Sequence, residues 1–147
     1  MLRNFKVRRH SIENISVLLI DDEVEFVNTL AERMELRGLQ VRTAYDGQEG
    51  LLRILEQVPD VVLVDMFMPG LSGADILLAV KSRYPYLPVI LLTGHAAPVA
   101  GGDDSGDVPL SGAYSCLTKP VAFQVVWDTL HAAVAFAKHV ESSYAQK

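Results

Sequence analysis

Cysteine is nearly absent from this chain. Cys116 stands alone, so no internal disulfide is available and nothing points to an oxidising compartment. Long hydrophobic runs are missing too: no stretch reaches the roughly 20 apolar residues that a membrane-spanning helix needs. The first ten residues carry Arg3, Lys6, Arg8 and Arg9. No hydrophobic segment or small-residue cleavage site follows them, so they do not read as a secretion signal. Beyond this arm basic charge is scarce. Residues 11–147 hold nine basic and eighteen acidic groups, near −9, against about +4 in the arm. An acidic body argues against nonspecific nucleic-acid binding, which requires a basic face. Neither G-x-G-x-x-G nor G-x-x-x-x-G-K-[ST] follows any apolar run, which disfavours nucleotide binding. What remains is a cytoplasmic globular protein with no membrane contact, preceded by a solvated basic arm over residues 1–14.

Half of the 147 residues are apolar, enough for one domain that buries roughly two thirds of its unfolded surface. Two periods alternate along the chain. "ISVLLID" (15–21), "DVVLVD" (60–65) and "LPVILLTG" (87–94) are short apolar runs, as expected for strands covered on both faces of a parallel sheet. "QVRTAYDG" (40–47) alternates like a more exposed strand, and "AYSCLTK" (113–119) is a weaker last one. Helical patterns lie between. "EFVNTLAERMELRG" sets Phe26, Leu30, Met34 and Arg37 on one stripe beside Val27 and ends at Gly38, a suitable residue just past a helix. "GQEGLLRILEQ" (47–57) and "GADILLAVKSRYP" (73–85) follow suit, the second stopped by Pro85. A final helix over 121–141 aligns Val126, Leu130, Val134 and Ala137. Alternating strands and helices with right-handed crossovers predict a doubly wound α/β sandwich.

Folds of this kind bind ligands beyond the carboxyl ends of their strands. Those ends here are Asp21–Asp22, Asp65, Thr93 and Lys119. Each has an ordinary structural reading alone, Asp22 as a helix cap and Asp65 as the start of a turn before Pro69–Gly70. Together they do not, because two carboxylates about 5 Å apart repel by roughly 3 kcal/mol at an effective dielectric of 20. Such a cluster calls for a counter-charge. Oxygen donors suit Mg²⁺ or Mn²⁺ rather than zinc, which would want Cys or His.

"LLIDDE", "VLVDMFMPGLSG", "VILLTGH" and "CLTKP" occur in an order and spacing that resemble the receiver domain of two-component response regulators, the CheY-like superfamily. The resemblance covers residues 15–141, leaving a short tail over 142–147. It implies a flavodoxin-like five-stranded parallel sheet of order 2-1-3-4-5. Asp65 is then the phosphoacceptor, receiving a phosphoryl group from a phosphohistidine on a sensor histidine kinase or phosphotransfer protein. Asp22, Asp65 and the backbone carbonyl of Phe67 are the implied Mg²⁺ ligands, with Asp21 holding a coordinated water. Thr93 and Lys119 are implied to grip phosphoryl oxygens, with a cis peptide before Pro120 aiming Lys119 inward. Gly94 leaves room beside Thr93. The reading describes a phosphoacceptor with slow self-dephosphorylation, not a turnover enzyme on an external substrate. It signals to a further protein through protein contacts, with a homodimer compatible and no nucleic-acid contact by this chain.

Two other readings compete. A haloacid-dehalogenase-type phosphatase would carry a second acid two residues after its nucleophile, where this chain has Phe67. A degenerate receiver, acting as a phosphorylation-independent docking scaffold, would lack the acid pair, the acceptor or the lysine, and all are present. Departures from the family pattern concentrate elsewhere. The stretch "GHAAPVAGGDDSGDVPLS" after Thr93 holds four glycines and two prolines where relatives carry a helix, so a short helix or a loop is expected there. The signalling aromatic three places before the lysine is replaced by Cys116; Tyr114, two residues earlier, falls on the same face of a regular strand. The usual Phe after Lys–Pro is Val121. Ordering of the 95–111 segment is the expected route of signalling.

Overall fold

The computed structural model describes residues 14–94 and 112–145. The basic arm up to residue 13, the helix or loop expected within 95–111 and residues 146–147 lie outside the described residues. Five strands and four helices are described: β1 (Ser16–Ile20), α1 (Val24–Leu36), β2 (Gln40–Ala44), α2 (Gly47–Glu56), β3 (Val61–Asp65), α3 (Gly73–Arg83), β4 (Val89–Thr93), β5 (Ser115–Thr118) and α4 (Phe123–Ala145). All pairings are parallel, in the order β2-β1-β3-β4-β5. This is the doubly wound sheet that the alternating periods predict.

Successive side chains of a strand point to opposite faces, so a strand covered on both sides is apolar throughout. β3 and β4 are buried at every position. Val17, Leu19, Val61, Leu63, Ile90 and Leu92 pack under α1 and α4, while Leu18, Ile20, Val62, Val64, Val89 and Leu91 pack under α2 and α3. α1 buries Val27, Leu30, Ala31 and Met34; Arg37 is not in that stripe but exposed at the helix end. Gly38 follows at φ 100°, a left-handed turn that favours glycine, and its N–H donates to the Glu35 carbonyl. The seam between α1 and α4 is closed by cations over rings. The Arg33 guanidinium lies 4.2 Å from the Phe123 ring centre, and Arg37 lies 5.0 Å from Phe123 and 5.4 Å from Trp127.

Two elements differ from the expectation. α4 continues to Ala145, through most of the anticipated tail, and its end is held where Tyr144 meets Tyr86 at 5.8 Å between ring centres. Tyr114 lies before β5 begins, so strand alternation does not govern it. Its ring meets Phe136 of α4 at 5.9 Å, whereas Cys116 packs on the α2–α3 side. Tyr114 and Cys116 therefore do not share a face.

Candidate functional site

The sheet register brings the strand ends together. Ile20 pairs with Val64, Asp65 with Leu92, and Thr93 with Thr118. Asp21, one step past β1, and Asp65, last in β3, continue the alternation of residues facing α1 and α4. Lys119, one step past β5, is anchored by its N–H donating to the Thr93 carbonyl at 2.7 Å. The Lys119–Pro120 peptide is cis.

Asp21, Asp22 and Asp65 each offer a carboxylate oxygen, and the three oxygens lie within 4.8 Å of one another. Asp21 and Asp65 are buried, at 1% and 6% exposure, and Asp22 is exposed. Asp22 does not cap α1: the N-cap position belongs to Glu23. The Lys119 ammonium reaches into this cluster, 2.8 Å from Asp21 Oδ2, 2.6 Å from Glu23 Oε1 and 3.9 Å from Asp65 Oδ1. The Phe26 ring lies 4.6 Å from the same nitrogen. Thr93 is fully buried beside them, and a Cβ added at Gly94 would meet no atom of the described residues within 4 Å.

The loop after Asp65 is held down by a close contact. The Gly73 N–H donates to the Met66 carbonyl at 2.9 Å. A Cβ at Gly73 would fall 2.5 Å from the Asp65 carbonyl oxygen and 2.7 Å from the Met66 Cα, so only glycine lets α3 start so near the strand end. Ser72 and Asp75 then close a reciprocal capping box at the start of α3. The loop leaves Phe67 exposed, while its backbone N–H hydrogen-bonds Asp65.

Charge is unbalanced. Asp21, Asp22, Glu23 and Asp65 against Lys119 leave a formal −3 when all are ionised. Burial pushes the Asp65 carboxyl up to about 6, with the Asp21 charge adding, Lys119 opposing, Asp22 adding and the Phe67 N–H opposing. Burial also raises Asp21, against the hydrogen bonds from Lys119 and the Glu23 N–H. For Lys119 burial works downward, but the hydrogen bonds to Asp21 and Glu23 and the Asp21 and Asp65 charges outweigh it and hold the ammonium above its usual range. One cation is therefore too few for these acids. An all-oxygen donor set with excess negative charge fits a hard divalent cation.

The structure thus brings together Asp21, Asp22, Asp65 and Lys119, with Thr93 on the adjoining strand and Phe67 at the rim. Sequence reasoning assigned no role to Glu23 and read Phe26 as part of the apolar stripe. Glu23 was visible as the third acid of the run, but no spacing rule says which way an N-cap side chain turns.

A buried acid thus ends β3, an acid pair follows β1 and a lysine follows β5, on a parallel sheet of order 2-1-3-4-5. The chain matches the model of the response regulator receiver domain family over residues 17–131 and belongs to that family. It is 35% identical over 112 residues to the probable transcriptional regulatory protein TcrX of Mycobacterium tuberculosis, covering 71% of this chain and 48% of TcrX. It is also 35% identical over 124 residues to the C4-dicarboxylate transport transcriptional regulatory protein DctD of Pseudomonas aeruginosa, covering 80% of this chain and 25% of DctD. The chain thus spans half or less of these relatives. Among solved structures, a response regulator receiver domain protein from Clostridium thermocellum superposes with a TM-score of 0.74 at 35% identity, over 86% of this chain and 98% of that one. Among the described residues no helix is long and apolar enough to cross a membrane.

Proposed function

We propose that this domain takes a phosphoryl group onto Asp65 from a phosphohistidine of a sensor histidine kinase or phosphotransfer protein, and passes the signal to a further protein by contact. The observation that carries the reading is the placement of Asp65: buried, pushed up to about 6, and 3.9 Å from the Lys119 ammonium. At neutral pH Asp65 is largely ionised yet more basic than an ordinary carboxylate, which favours it as a nucleophile. A carboxylate oxygen attacks phosphorus, the P–O bond forms as the P–N bond breaks, and the departing imidazole takes up a proton. Charge develops on the equatorial oxygens in such a transfer, and catalysis is mainly positioning and electrostatics. Lys119 supplies a fixed positive charge, and Thr93 stands at the adjoining strand end to hold an oxygen. Asp22, Asp65 and the Phe67 carbonyl would hold Mg²⁺ or Mn²⁺, with Asp21 binding one of its waters. The bound cation would neutralise charge on the incoming phosphoryl oxygens. The unit is a phosphoacceptor rather than a turnover enzyme, it works in the cytoplasm, and its receiver domain spans residues 15–141.

Mass spectrometry after incubation with Mg²⁺ and acetyl phosphate tests the reading. One phosphoryl group should be added, dependent on the cation and absent from Asp65→Asn. A label that persists in that variant would overturn the assignment.

A further inference from the structure

We propose that Glu23 is a positioning residue that holds Lys119 in a resting place, and that releasing this contact is part of reaching the phosphorylated arrangement. The inference rests on the reading of Asp65 as acceptor.

Glu23 occupies the N-cap of α1, where a polar side chain commonly turns back to accept from the first helical N–H groups. Its side chain makes no such bond. The carboxylate reaches instead to the far end of the chain, accepting from Lys119 at 2.6 Å. The Glu23 backbone N–H meanwhile donates to Asp21 Oδ1 at 2.9 Å, so the two acids that hold Lys119 are tied to each other.

An ammonium has three N–H groups. One goes to Asp21 and one to Glu23, and the 3.9 Å separation from Asp65 Oδ1 is too long for a hydrogen bond. Phosphoryl oxygens on Asp65 would draw the ammonium away from its present partners, and the two partners differ in what they lose. The Asp21 side chain is 2% exposed, so releasing Lys119 would strip a buried carboxylate of its cation. The Glu23 side chain is 62% exposed and returns to water on release. The Glu23 bond is therefore the one that yields. Phe26, 4.6 Å from the nitrogen, keeps an aromatic face under the ammonium in the resting place.

A half-exposed ion pair of this kind biases an equilibrium by about 1.5- to 5-fold. The test compares wild type, Glu23→Ala, Glu23→Gln and, as a control for net charge, Glu25→Gln on the exposed first turn of α1. Two quantities are read: the affinity for beryllofluoride at saturating Mg²⁺, and the Lys119 ammonium nitrogen resonance in cation-free protein. Glu23→Ala should bind beryllofluoride about 1.5- to 5-fold more tightly and shift the Lys119 resonance, with Glu23→Gln intermediate and Glu25→Gln like wild type. The size and polarity kept in Glu23→Gln guard against a folding defect. If wild type takes up beryllofluoride but Glu23→Ala binds it no more tightly, the role of Glu23 is wrong and the acceptor reading stands. A wild type that takes up none brings down the acceptor reading and this inference with it.

Discussion

Replacing Asp65 by asparagine should make the cation-free protein more stable at neutral pH. The Asp65 carboxyl moves from 3.8 to about 6, chiefly through burial and the Asp21 charge. About two pH units correspond to roughly 3 kcal/mol in favour of the protonated form within the fold. Because the folded value lies above the unfolded one, the stabilisation is complete below about 3.8 and is lost as pH rises through about 6. Asparagine has nearly the same shape and no charge, so it escapes that loss. Its imperfectly matched amide costs about 1 kcal/mol, leaving a net gain of about 2 kcal/mol. Urea unfolding in a chelator should show a higher midpoint for Asp65→Asn near neutral pH, and the difference should shrink as pH falls from about 6 toward 4. Mg²⁺ at about 100 times its dissociation constant stabilises wild type by about 2.7 kcal/mol and should reverse the order. An asparagine variant that is less stable in chelator at neutral pH, or a difference that ignores pH, would refute the account of the site as an unmatched cluster of acids.

Three further outcomes follow from the same geometry. Asp22→Ala, at the exposed acid, should weaken Mg²⁺ binding by about 10- to 100-fold in calorimetry without loss of stability in chelator, while Asp21→Ala should cost about 1–3 kcal/mol because Lys119 loses its buried partner. Phe67 is 58% exposed beside Asp65, so on the proposed reading Phe67→Asn should admit water and speed loss of the phosphoryl group on the order of tenfold, about 1.4 kcal/mol of barrier, as followed by decay of the phosphorylated mass. Gly73→Ala sets a methyl against the backbone of Asp65 and Met66 and should cost about 1–3 kcal/mol in thermal unfolding.

The fold was legible wherever one period ruled a segment. β3 and β4 are buried on both faces, so composition alone marked them, and Gly38 and Pro85 punctuated their helices. The convergence of Asp65, the acid pair and Lys119 was legible because doubly wound sheets gather polar side chains at strand ends. Two errors share a cause. The sequence pattern places the end of the last helix at 141, yet α4 runs to Ala145, where Tyr144 meets Tyr86 across a tertiary contact that no local period encodes. Tyr114 was placed by strand alternation, but β5 starts one residue later and the ring follows α4 instead. Glu23 escaped notice because its partner is 96 residues away in sequence. Local pattern carries the elements; long-range pairing decides where individual polar side chains go.

The aromatic seam between α1 and α4 also makes the protein its own optical gauge. Trp127 is the single tryptophan, and it sits 5.8 Å from Phe123, 4.4 Å from His131 and beneath Arg37 rather than among the acids. The two helices that meet there both set out from the site, α1 from Glu23 and α4 shortly after its partner Lys119. Indole emission should therefore change little when a cation merely fills the acid cluster. At constant pH it should respond when the helices slide or part, because Phe123, His131 and Arg37 then move relative to the ring. Fluorescence and calorimetry recorded on one titration thus separate occupancy of the site from its mechanical transmission, with no label attached.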